Sequence, residues 1–256
     1  MIKISAYIVT LNEELRLEKT LQAVSQVADE IIVVDSGSTD KTEEIAKKYN
    51  AEFVFHKWKS YCDQKSFAEQ KCSNDWVLLV DADEVLSDNL IKEIKQLKKD
   101  TPKHNAYNIK ICNMFPQDET PRHFAQNFNV VRLYNRKVAH MPPNLFNKDR
   151  IKVCDNEPIG QLQHAIHHYC FLNLEQTTAK YNLHSSELVN TAVAEKRKFS
   201  RLRLYTEFPR QFLRYYFFKK YCLLGTQGFI QAMSLANFRF LKIAKWFEYQ
   251  ALNKKD

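Results

Sequence analysis

The sequence predicts an α/β fold built on a mostly parallel sheet that is flanked by helices. In the N-terminal part, short apolar runs alternate with segments of helical periodicity, which is the pattern of a doubly wound sheet. The run at residues 76–80 is continuously apolar, as expected for a strand covered on both faces. Each run also ends in polar residues, and we expect these to meet at one edge of the sheet.

The strands and helices of this sheet follow from periodicity and turn signals. Strands are predicted at residues 2–9, 30–34, 51–55 and 76–80. The first helix between them places Leu17, Leu21 and Val24 on one face, the second runs to about residue 49, and the third surrounds residues 64–72. Asp40 and Glu43 have the spacing of a capping box for the second helix.

Two carboxylates, Asp81 and Asp83, follow the strand at 76–80 and flank one small residue. Carboxylates aimed at one point repel each other unless a cation or a proton lies between them, and Mg²⁺ and Mn²⁺ prefer such oxygen ligands. The pair is therefore a candidate metal site, and we expect that metal to bind a diphosphate. The alternative is an acidic turn that caps a helix beginning near Ser87.

Other polar side chains are expected at the same edge, because they also follow strands. The expected set is Thr10, Asn12, Glu13, Asp35 and Asp81. Glycine-rich phosphate loops are excluded from the N-terminal half, since Gly37 is the only glycine before Gly160. A nucleotide diphosphate would have to be neutralised by a metal and by side chains.

The six cysteines indicate a reducing compartment. They are scattered without a Cys-x-x-Cys pair, and the N-terminus lacks the basic and then apolar layout of a secretory signal. We therefore expect free thiols and a cytoplasmic protein.

Positive charge is concentrated in the C-terminal part of the chain. The formal net charge is +8, and the residues from Lys196 onward carry 14 Lys and Arg against three acids, so this tail has a net charge of +11 and residues 1–195 have −3. Nine aromatic residues lie among nine Lys and Arg between Lys196 and Tyr221. No apolar run approaches the ~20 residues that cross a bilayer.

The basic, aromatic tail is expected to form helices that lie on an anionic membrane surface. The alternatives are a helical hairpin that packs internally and exposes a basic face, or a dimer interface. Pro209, Gly225 and Gly228 are expected to divide the tail into two or three helices. The predicted organisation is thus a nucleotide-sugar and catalytic domain at 1–170 and a helical C-terminal region at 171–256, which is expected to associate with the membrane.

Four motifs occur in a specific order along the chain. They are Ile8-Val-Thr-Leu-Asn-Glu13, Ile31-Ile-Val-Val-Asp-Ser-Gly-Ser-Thr-Asp40, Gln64-Lys65 and Asp75-Trp-Val-Leu-Leu-Val-Asp-Ala-Asp-Glu84. This set resembles the family 2 glycosyltransferases, which have the GT-A fold (a Rossmann-like sheet), and more narrowly the bacterial lipopolysaccharide-core β-glucosyltransferases. The match is close over residues 1–100 and looser at residues 131–136, at His168-Tyr169 and at residues 212–246.

The resemblance implies a role for each motif. Asp35 would accept a hydrogen bond from the uracil of a UDP-sugar, and Thr10, Asn12 and Glu13 would line the nucleoside pocket. Lys65 would approach the diphosphate, the alternative being an exposed helix lysine.

The remaining implied roles concern the metal. Asp81 would contact the ribose or the metal, and Asp83 would hold the Mn²⁺ or Mg²⁺ ion that bridges both phosphates. His168 matches a His-Tyr pair of the subgroup and would supply a third metal ligand, whereas His164 and His167 are expected to be ordinary polar residues.

The catalytic base is expected where this sequence departs from the resemblance. The subgroup shows a Val-His-Glu-like triplet after the Arg-Leu-Tyr segment, and residues 141–150 do not contain it. By spacing, Asp149 takes the place of the glutamate; the alternative is a solvated loop acid. The reserve candidates are Asp155, Glu157, Asp118 and Glu119.

The function expected from these features is an inverting, metal-dependent transfer of a hexose, from UDP-glucose, to a lipid-linked acceptor such as the lipopolysaccharide inner core. The enzyme would lie peripherally on the inner face of the bacterial cytoplasmic membrane, and no nucleic-acid partner is expected. Three alternatives stay open. The first is a glycosyltransferase for another polysaccharide, lipid or protein acceptor, and the second is a catalytically silent scaffold that binds nucleotide or membrane. The third is nucleic-acid binding by the tail.

Overall fold

The computed structural model describes residues 1–115, 118–123, 125–143, 150–171 and 173–253. The chain divides into two compact units. The first comprises Met1–Asn113 and Asn127–Tyr169, and the second comprises Met114–Gln126 and Cys170–Asp256. All six cysteines are free thiols, as predicted.

The first unit is built on a sheet of eight strands in the order β3-β2-β1-β4-β7-β6-β10-β5. A small hairpin of β8 and β9 forms a second sheet. The strands are β1 Ile4–Thr10, β2 Glu30–Asp35, β3 Glu52–Phe55, β4 Trp76–Leu79, β5 Glu84–Leu86, β6 Ala106–Asn113, β7 Asn127–Asn135, β8 Ala139–His140, β9 Lys152–Val153 and β10 Ile159–His168.

Most strands of the large sheet run in one direction. β3, β2, β1 and β4 pair in parallel, and β6 pairs in parallel with β10. β7 is antiparallel to both β4 and β6, so β6 and β10 point the same way as β4, and only β7 and β5 run against the others. The predicted fold class, a GT-A-like and mostly parallel sheet flanked by helices, is confirmed.

Helices cover both faces of this sheet. They are α1 Leu17–Val24, α2 Thr42–Lys48, α3 Tyr61–Lys71 and α4 Asp88–Lys99. Side chains alternate along β4, so that Leu78 joins one buried apolar cluster and Val77 joins another. The sheet therefore has a core on each face, which explains why the sequence of β4 is apolar throughout.

The start of α2 differs from the prediction. The carboxylate of Asp40 accepts hydrogen bonds from the backbone N–H of Thr42, at 3.0 Å, and of Glu14, at 3.1 Å. Glu43 turns outward and pairs with Lys47 at 2.7 Å, one helical turn later. The predicted capping box is therefore wrong: Asp40 ties the loop after β1 to the start of α2.

The second unit is helical. Its elements are α5 Leu174–Ala194, α6 Arg201–Leu213, a π-helical segment Arg214–Phe218, a 3-10 turn Tyr221–Leu224 and α7 Gly225–Leu252. One apolar cluster includes Phe115, Tyr215 and Ala232, and a second joins Val189 to Trp246. Within the described residues, no helix is both long enough and apolar enough to span a membrane.

Two of the predicted helix breaks are wrong. Pro209 lies inside α6, and Gly228 lies inside α7. Pro209 has no backbone N–H and so removes the helical hydrogen bond to the carbonyl of Tyr205, a residue that is exposed. A side chain at Gly228 would collide with the carbonyl oxygen of Tyr221, so this glycine permits close packing rather than ending a helix.

Helix α6 is held together by a buried carboxylate. Glu207 is 1% exposed and accepts hydrogen bonds from Arg203 and Arg210, each at 2.8 Å, and from Gln211 at 2.9 Å. Burial would raise the pKa of Glu207, but these donors outweigh it and lower the pKa from 4.5 to about 2. A depressed pKa means that the ionised carboxylate stabilises the folded state above pH 4.5 and that this contribution is lost as the pH falls toward 2.

We expect Glu207→Gln to lower the free energy of unfolding by about 1–3 kcal/mol at pH 7, because two arginines lose their charged acceptor. The difference from the wild type should shrink as the pH falls from about 4.5 toward 2, because the carboxylate of the unfolded chain is protonated first and that of the folded chain only near pH 2. Urea unfolding followed by tryptophan fluorescence at several pH values measures both. Glu248→Gln, at an exposed position of α7, is the matched control. A deficit that stays constant with pH would contradict this assignment.

Candidate active site

The candidate active site lies where β1, β2, β4 and β10 end. Thr10 and Asp35 are opposite each other in the register of β1 and β2, and the hydroxyl of Thr10 donates to Asp35 Oδ1 at 2.8 Å. Both side chains are buried. The parallel register thus places the ends of neighbouring strands together, as the sequence predicts.

Asp35 organises the turn that follows it. Besides the bond from Thr10, its carboxylate accepts from the backbone N–H of Gly37 at 2.7 Å and of Ser38 at 2.6 Å, and from the Ser38 hydroxyl at 2.5 Å. A carboxylate has about four acceptor positions, and these donors occupy all of them. Asp35 can accept a further N–H only if the Ser38 hydroxyl turns away.

Asn12 joins the loop after β1 to the loop after β2. Its φ of 55° lies in the left-handed region, which asparagine tolerates better than most residues. Its N–H donates to the Ser38 hydroxyl at 2.7 Å, and its Oδ1 accepts from the N–H of Thr39 at 2.9 Å. Next to it, the N–H of Glu13 donates to the Thr42 hydroxyl at 2.9 Å. The loop is therefore shaped by its own hydrogen bonds.

Arg16 connects this loop to the acidic residues after β4. Its guanidinium forms a two-pronged ion pair with Glu13, with both hydrogen bonds at 2.7 Å. The same guanidinium reaches Asp83 Oδ2 at 3.4 Å. Glu13 and Asp83 therefore lie on either side of one cation.

Asp81 lies between two cations. Lys65 Nζ is 2.7 Å from Asp81 Oδ1, and Arg132 Nη2 is 2.9 Å from Asp81 Oδ2. Burial would raise the pKa of Asp81, but the charges of Lys65 and Arg132 hold it well below its usual range. Lys65 is 2% exposed on α3, so the alternative of an exposed helix lysine is wrong.

A second carboxylate, Glu84, shares Arg132 with Asp81. Arg132 Nη2 is 2.6 Å from Glu84 Oε1, and the backbone N–H of Asp81 donates to Glu84 Oε2 at 2.9 Å. Burial, together with the nearby charge of Asp81, raises the pKa of Glu84 above its usual value although Arg132 lowers it. Glu84 thus fixes both the backbone of Asp81 and the guanidinium that neutralises it.

Asp83 faces His168 at the end of β10. His168 Nε2 is 3.3 Å from Asp83 Oδ1, and the other ring nitrogen is 3.1 Å from Asn113 Oδ1. Burial lowers the pKa of His168, but the hydrogen bond and charge of Asp83, with the charges of Glu84 and Asp81, raise it overall. The predicted proximity of Asp83 and His168 is present in the structure.

The side chains at this edge partly fit a divalent cation. No group of three or more His, Cys, Asp or Glu side chains is placed to hold a metal within the described ranges, and Asp81 is already paired with two cations. Asp83 and His168 have the right chemistry and lie side by side. Mg²⁺ commonly takes one or two protein carboxylates and completes its shell with substrate phosphates and water, so these two residues suit an ion that arrives with a diphosphate.

The alternative role of Asp81 and Asp83 as helix caps is wrong. Ser87 caps α4, since its side chain accepts from the N–H of Leu90. Strand β5 separates the two aspartates from that helix. Their position is therefore not explained by capping.

The proposed base, Asp149, lies outside the described residues. Two reserve candidates lie at the wrong end of the sheet: Asp155 and Glu157 precede β10, whose first residue, Ile159, pairs with the first residue of β6. The ten residues of β10 place that end about 30 Å from His168. Glu157 also accepts from the side chain of Asn105 at 2.8 Å.

The other two reserve candidates belong to the second unit. Asp118 is bound by the guanidinium of Arg122 through two hydrogen bonds, at 2.7 and 2.9 Å. Glu119 follows it and is exposed. Neither arrangement marks a poised base.

Sequence reasoning missed three charged residues of the site. Arg132 interrupts the apolar pattern of β7, and this is a signal that an inward-facing charge has a buried partner. Glu84 follows Asp83 directly, and the sequence does not show that its carboxylate pairs with a distant arginine. Arg16 precedes an amphipathic helix, where a basic residue is unremarkable, so nothing in the sequence marks it.

Known proteins resemble this chain in sequence. An uncharacterized glycosyltransferase of Rickettsia bellii is 40% identical over 254 residues, covering 95% of this chain and 85% of the relative. The lipopolysaccharide core biosynthesis glycosyltransferase LpsC of Rhizobium meliloti is 28% identical, covering 98% and 94%. Among solved structures, the match to S. aureus TarS covers 95% of this chain and 55% of the TarS chain, with a TM-score of 0.47 and 15% sequence identity.

The family follows from a match over most of the chain. Residues 5–171 match the family model described as Glycosyl transferase family 2. This range contains the whole of the eight-stranded sheet except the first residue of β1, and it contains the strand-end site. The chain is therefore a glycosyltransferase that belongs to glycosyl transferase family 2.

Proposed function

We propose that this protein transfers a hexose, with inversion, from UDP-glucose to a lipid-linked saccharide of the lipopolysaccharide inner core. The observation that carries the proposal is the cluster of charges after β4, where Lys65, Arg132 and Arg16 surround Asp81 and Asp83. Membership of family 2 and the similarity to LpsC support it. Other lipid, polysaccharide or protein acceptors are the alternative.

The cations of this cluster suit the diphosphate of the donor. In the structure each of them lies against a carboxylate, which stands in for an anionic ligand. Because Asp81 is 27% exposed at its side chain, a diphosphate can approach and compete for Lys65 and Arg132. A guanidinium and an ammonium then stabilise the charge on the departing nucleotide.

Asp83 and His168 are the residues that would hold Mn²⁺ or Mg²⁺. A bound ion would neutralise the negative charge that develops on the departing UDP. Arg16 and Asn113 keep the carboxylate and the imidazole oriented toward each other. Asp81, with both oxygens paired, is the better candidate for a contact with the ribose or for holding Lys65 in place.

The nucleoside is proposed to lie against the loops after β1 and β2. Thr10, Asn12 and Glu13 line this edge, and Asp35 supplies the carboxylate for the imide N–H of uracil. Since Asp35 already accepts four hydrogen bonds, binding requires the Ser38 hydroxyl to rotate. Nucleoside recognition is therefore coupled to the loop that Asn12 holds.

Asp149 remains the proposed base that removes the proton from the acceptor hydroxyl on the face opposite the departing UDP. It belongs to the segment between β8 and β9, which starts next to α3: the N–H of Met141 donates to the buried carboxylate of Glu69 at 2.8 Å. Lys65 lies one helical turn before Glu69 on α3. Met141, where this segment begins, is thus held next to the helix that carries Lys65.

The second unit is proposed to attach the enzyme to the inner face of the cytoplasmic membrane, where residues 1–170 perform catalysis and 171–256 meet the lipid. Large apolar side chains on α6 and the π-helical segment support this, since Leu202, Tyr205 and Phe218 are 70%, 76% and 82% exposed. Exposed apolar and basic side chains together suit the headgroup boundary. Attachment would raise the local concentration of a lipid-linked acceptor.

Asp83→Asn is expected to reduce Mn²⁺-dependent release of UDP from UDP-glucose by about 100-fold or more, because it removes the carboxylate next to His168. A panel of UDP-sugars, with and without lipopolysaccharide precursors, identifies the donor and acceptor. Asp75→Asn is the matched control, since Asp75 is exposed at the opposite end of β4. Tight binding of UDP by the wild type, without turnover of any UDP-sugar, would instead support the catalytically silent scaffold.

Asp149→Asn is expected to depress kcat by about 100-fold or more while leaving the affinity for UDP unchanged, because a base acts on the acceptor and not on the nucleotide. Calorimetry with UDP and steady-state kinetics measure the two effects separately. Asp155→Asn should behave as the wild type, given its place at the far end of β10. Near-normal turnover of Asp149→Asn would remove this residue from the mechanism.

A further inference from the structure

A cavity of about 280 Å³ between α6 and α7 is lined mainly by cations. Five basic side chains contribute to it, namely Arg203, Arg210, Arg214, Arg239 and Lys242. Glu207, Gln211 and Ile243 complete the lining. The cavity belongs wholly to the second unit, and nothing in the proposed sugar transfer uses it.

The positive charge of this cavity is only partly balanced. Glu207 is the one acid in its lining, and its carboxylate is taken by Arg203 and Arg210. Within the described part of the chain, Arg214, Arg239 and Lys242 form no ion pair with a carboxylate. The lining therefore has five cations and one anion.

Lys242 shows that these charges repel one another. Burial lowers its pKa first, and the charges of Arg197, Arg239 and Arg203 lower it further, against a smaller opposite effect of Glu195. Like charges gathered around a partly buried ammonium destabilise the folded chain. An anion bound in the cavity would reverse the sign of that interaction.

Gln211 adds an unpartnered polar atom to the lining. It is 4% exposed, its Nε2 donates to Glu207, and its Oε1 is buried without a hydrogen-bond partner. An amide oxygen is an acceptor only, so the complementary ligand must carry a donor as well as anionic oxygens. A singly protonated phosphate has both.

The size and geometry also favour a phosphate. The cavity is slightly smaller than the ~300–1,000 Å³ of pockets for drug-sized ligands. Guanidinium groups match phosphate oxygens with paired hydrogen bonds. Next to the cavity, Ser200 and Thr206 line a recess with Arg203 and Arg210. The Thr206 hydroxyl donates to the carbonyl of Leu202 at 3.0 Å, so the Ser200 hydroxyl is the one that can donate to a larger headgroup.

We propose that this cavity, the α6–α7 cavity, binds a phosphate group. Phosphate and a phosphomonoester share the required chemistry, so the group can arrive as a free ion or on the headgroup of a membrane lipid. The sources differ in a measurable way, because only the second recruits the protein to vesicles.

The test compares two double variants of the full chain. Arg239→Gln with Lys242→Gln removes two cations from the α6–α7 cavity. Lys198→Gln with Lys219→Gln removes the same charge from exposed positions that do not line it, so it controls for non-specific attraction. Arg214→Gln is a further cavity variant in case the double variant does not fold.

Calorimetry with inorganic phosphate and flotation with phosphatidylcholine vesicles provide the two arms. The vesicles contain phosphatidic acid, a phosphomonoester, or phosphatidylglycerol, a phosphodiester, at matched surface charge. We expect the cavity variant to lose about 10-fold or more in affinity for phosphate, for phosphatidic acid vesicles, or for both, while the control variant resembles the wild type.

Each outcome decides the proposal. Loss with free phosphate alone identifies a soluble ligand, and loss with phosphatidic acid beyond phosphatidylglycerol identifies a lipid headgroup. Equal losses in the cavity and control variants would show general charge attraction and would overturn the site. The absence of binding to either probe would also overturn it.

Discussion

The ion pairs of Asp81 with Lys65 and Arg132 are the interaction on which the strand-end site depends. They allow carboxylates to lie at the edge of a buried sheet, where unpaired charges would be too costly. In the proposed function, the same two cations are the ones that an incoming diphosphate would meet. Glu84 holds Arg132 from the other side, so the cluster is fixed by α3, β7 and β5 together. The site is thus a cluster of paired charges that three elements of the fold hold in place.

The fold was largely predictable because it depends on periodicity. Alternating apolar and amphipathic segments predict a parallel sheet, and the strand ends then place Thr10, Asp35 and Asp81 at one edge. Side-chain pairing was less predictable, because it depends on contacts between residues far apart in sequence. Arg132 lies 51 residues from Asp81, and only the position of β7 beside β4 brings them together. The local rule for Asp40 failed for the same reason, because its contact with Glu14, 26 residues away, outweighed it.

The composition of the C-terminal region predicts its helical, basic character but not which of its side chains are buried. The sequence predicts a basic, aromatic helical region, and the structure divides its aromatic and apolar side chains between the interior and the surface. Tyr215, Tyr221 and Trp246 pack inside the unit, whereas Leu202 and Phe218 are exposed. Part of the basic charge is organised around one buried carboxylate, Glu207, which composition alone does not reveal. An apolar interior and a cavity lined mainly by cations are therefore both present in one helical unit.

The most direct test of this account is a crystal structure with UDP and Mn²⁺. The account predicts the ion between Asp83, His168 and the diphosphate, with Lys65 and Arg132 turned from Asp81 toward the phosphates. An ion and a nucleotide bound elsewhere, or bound at this edge with Lys65 and Arg132 still fully paired to Asp81, would contradict it.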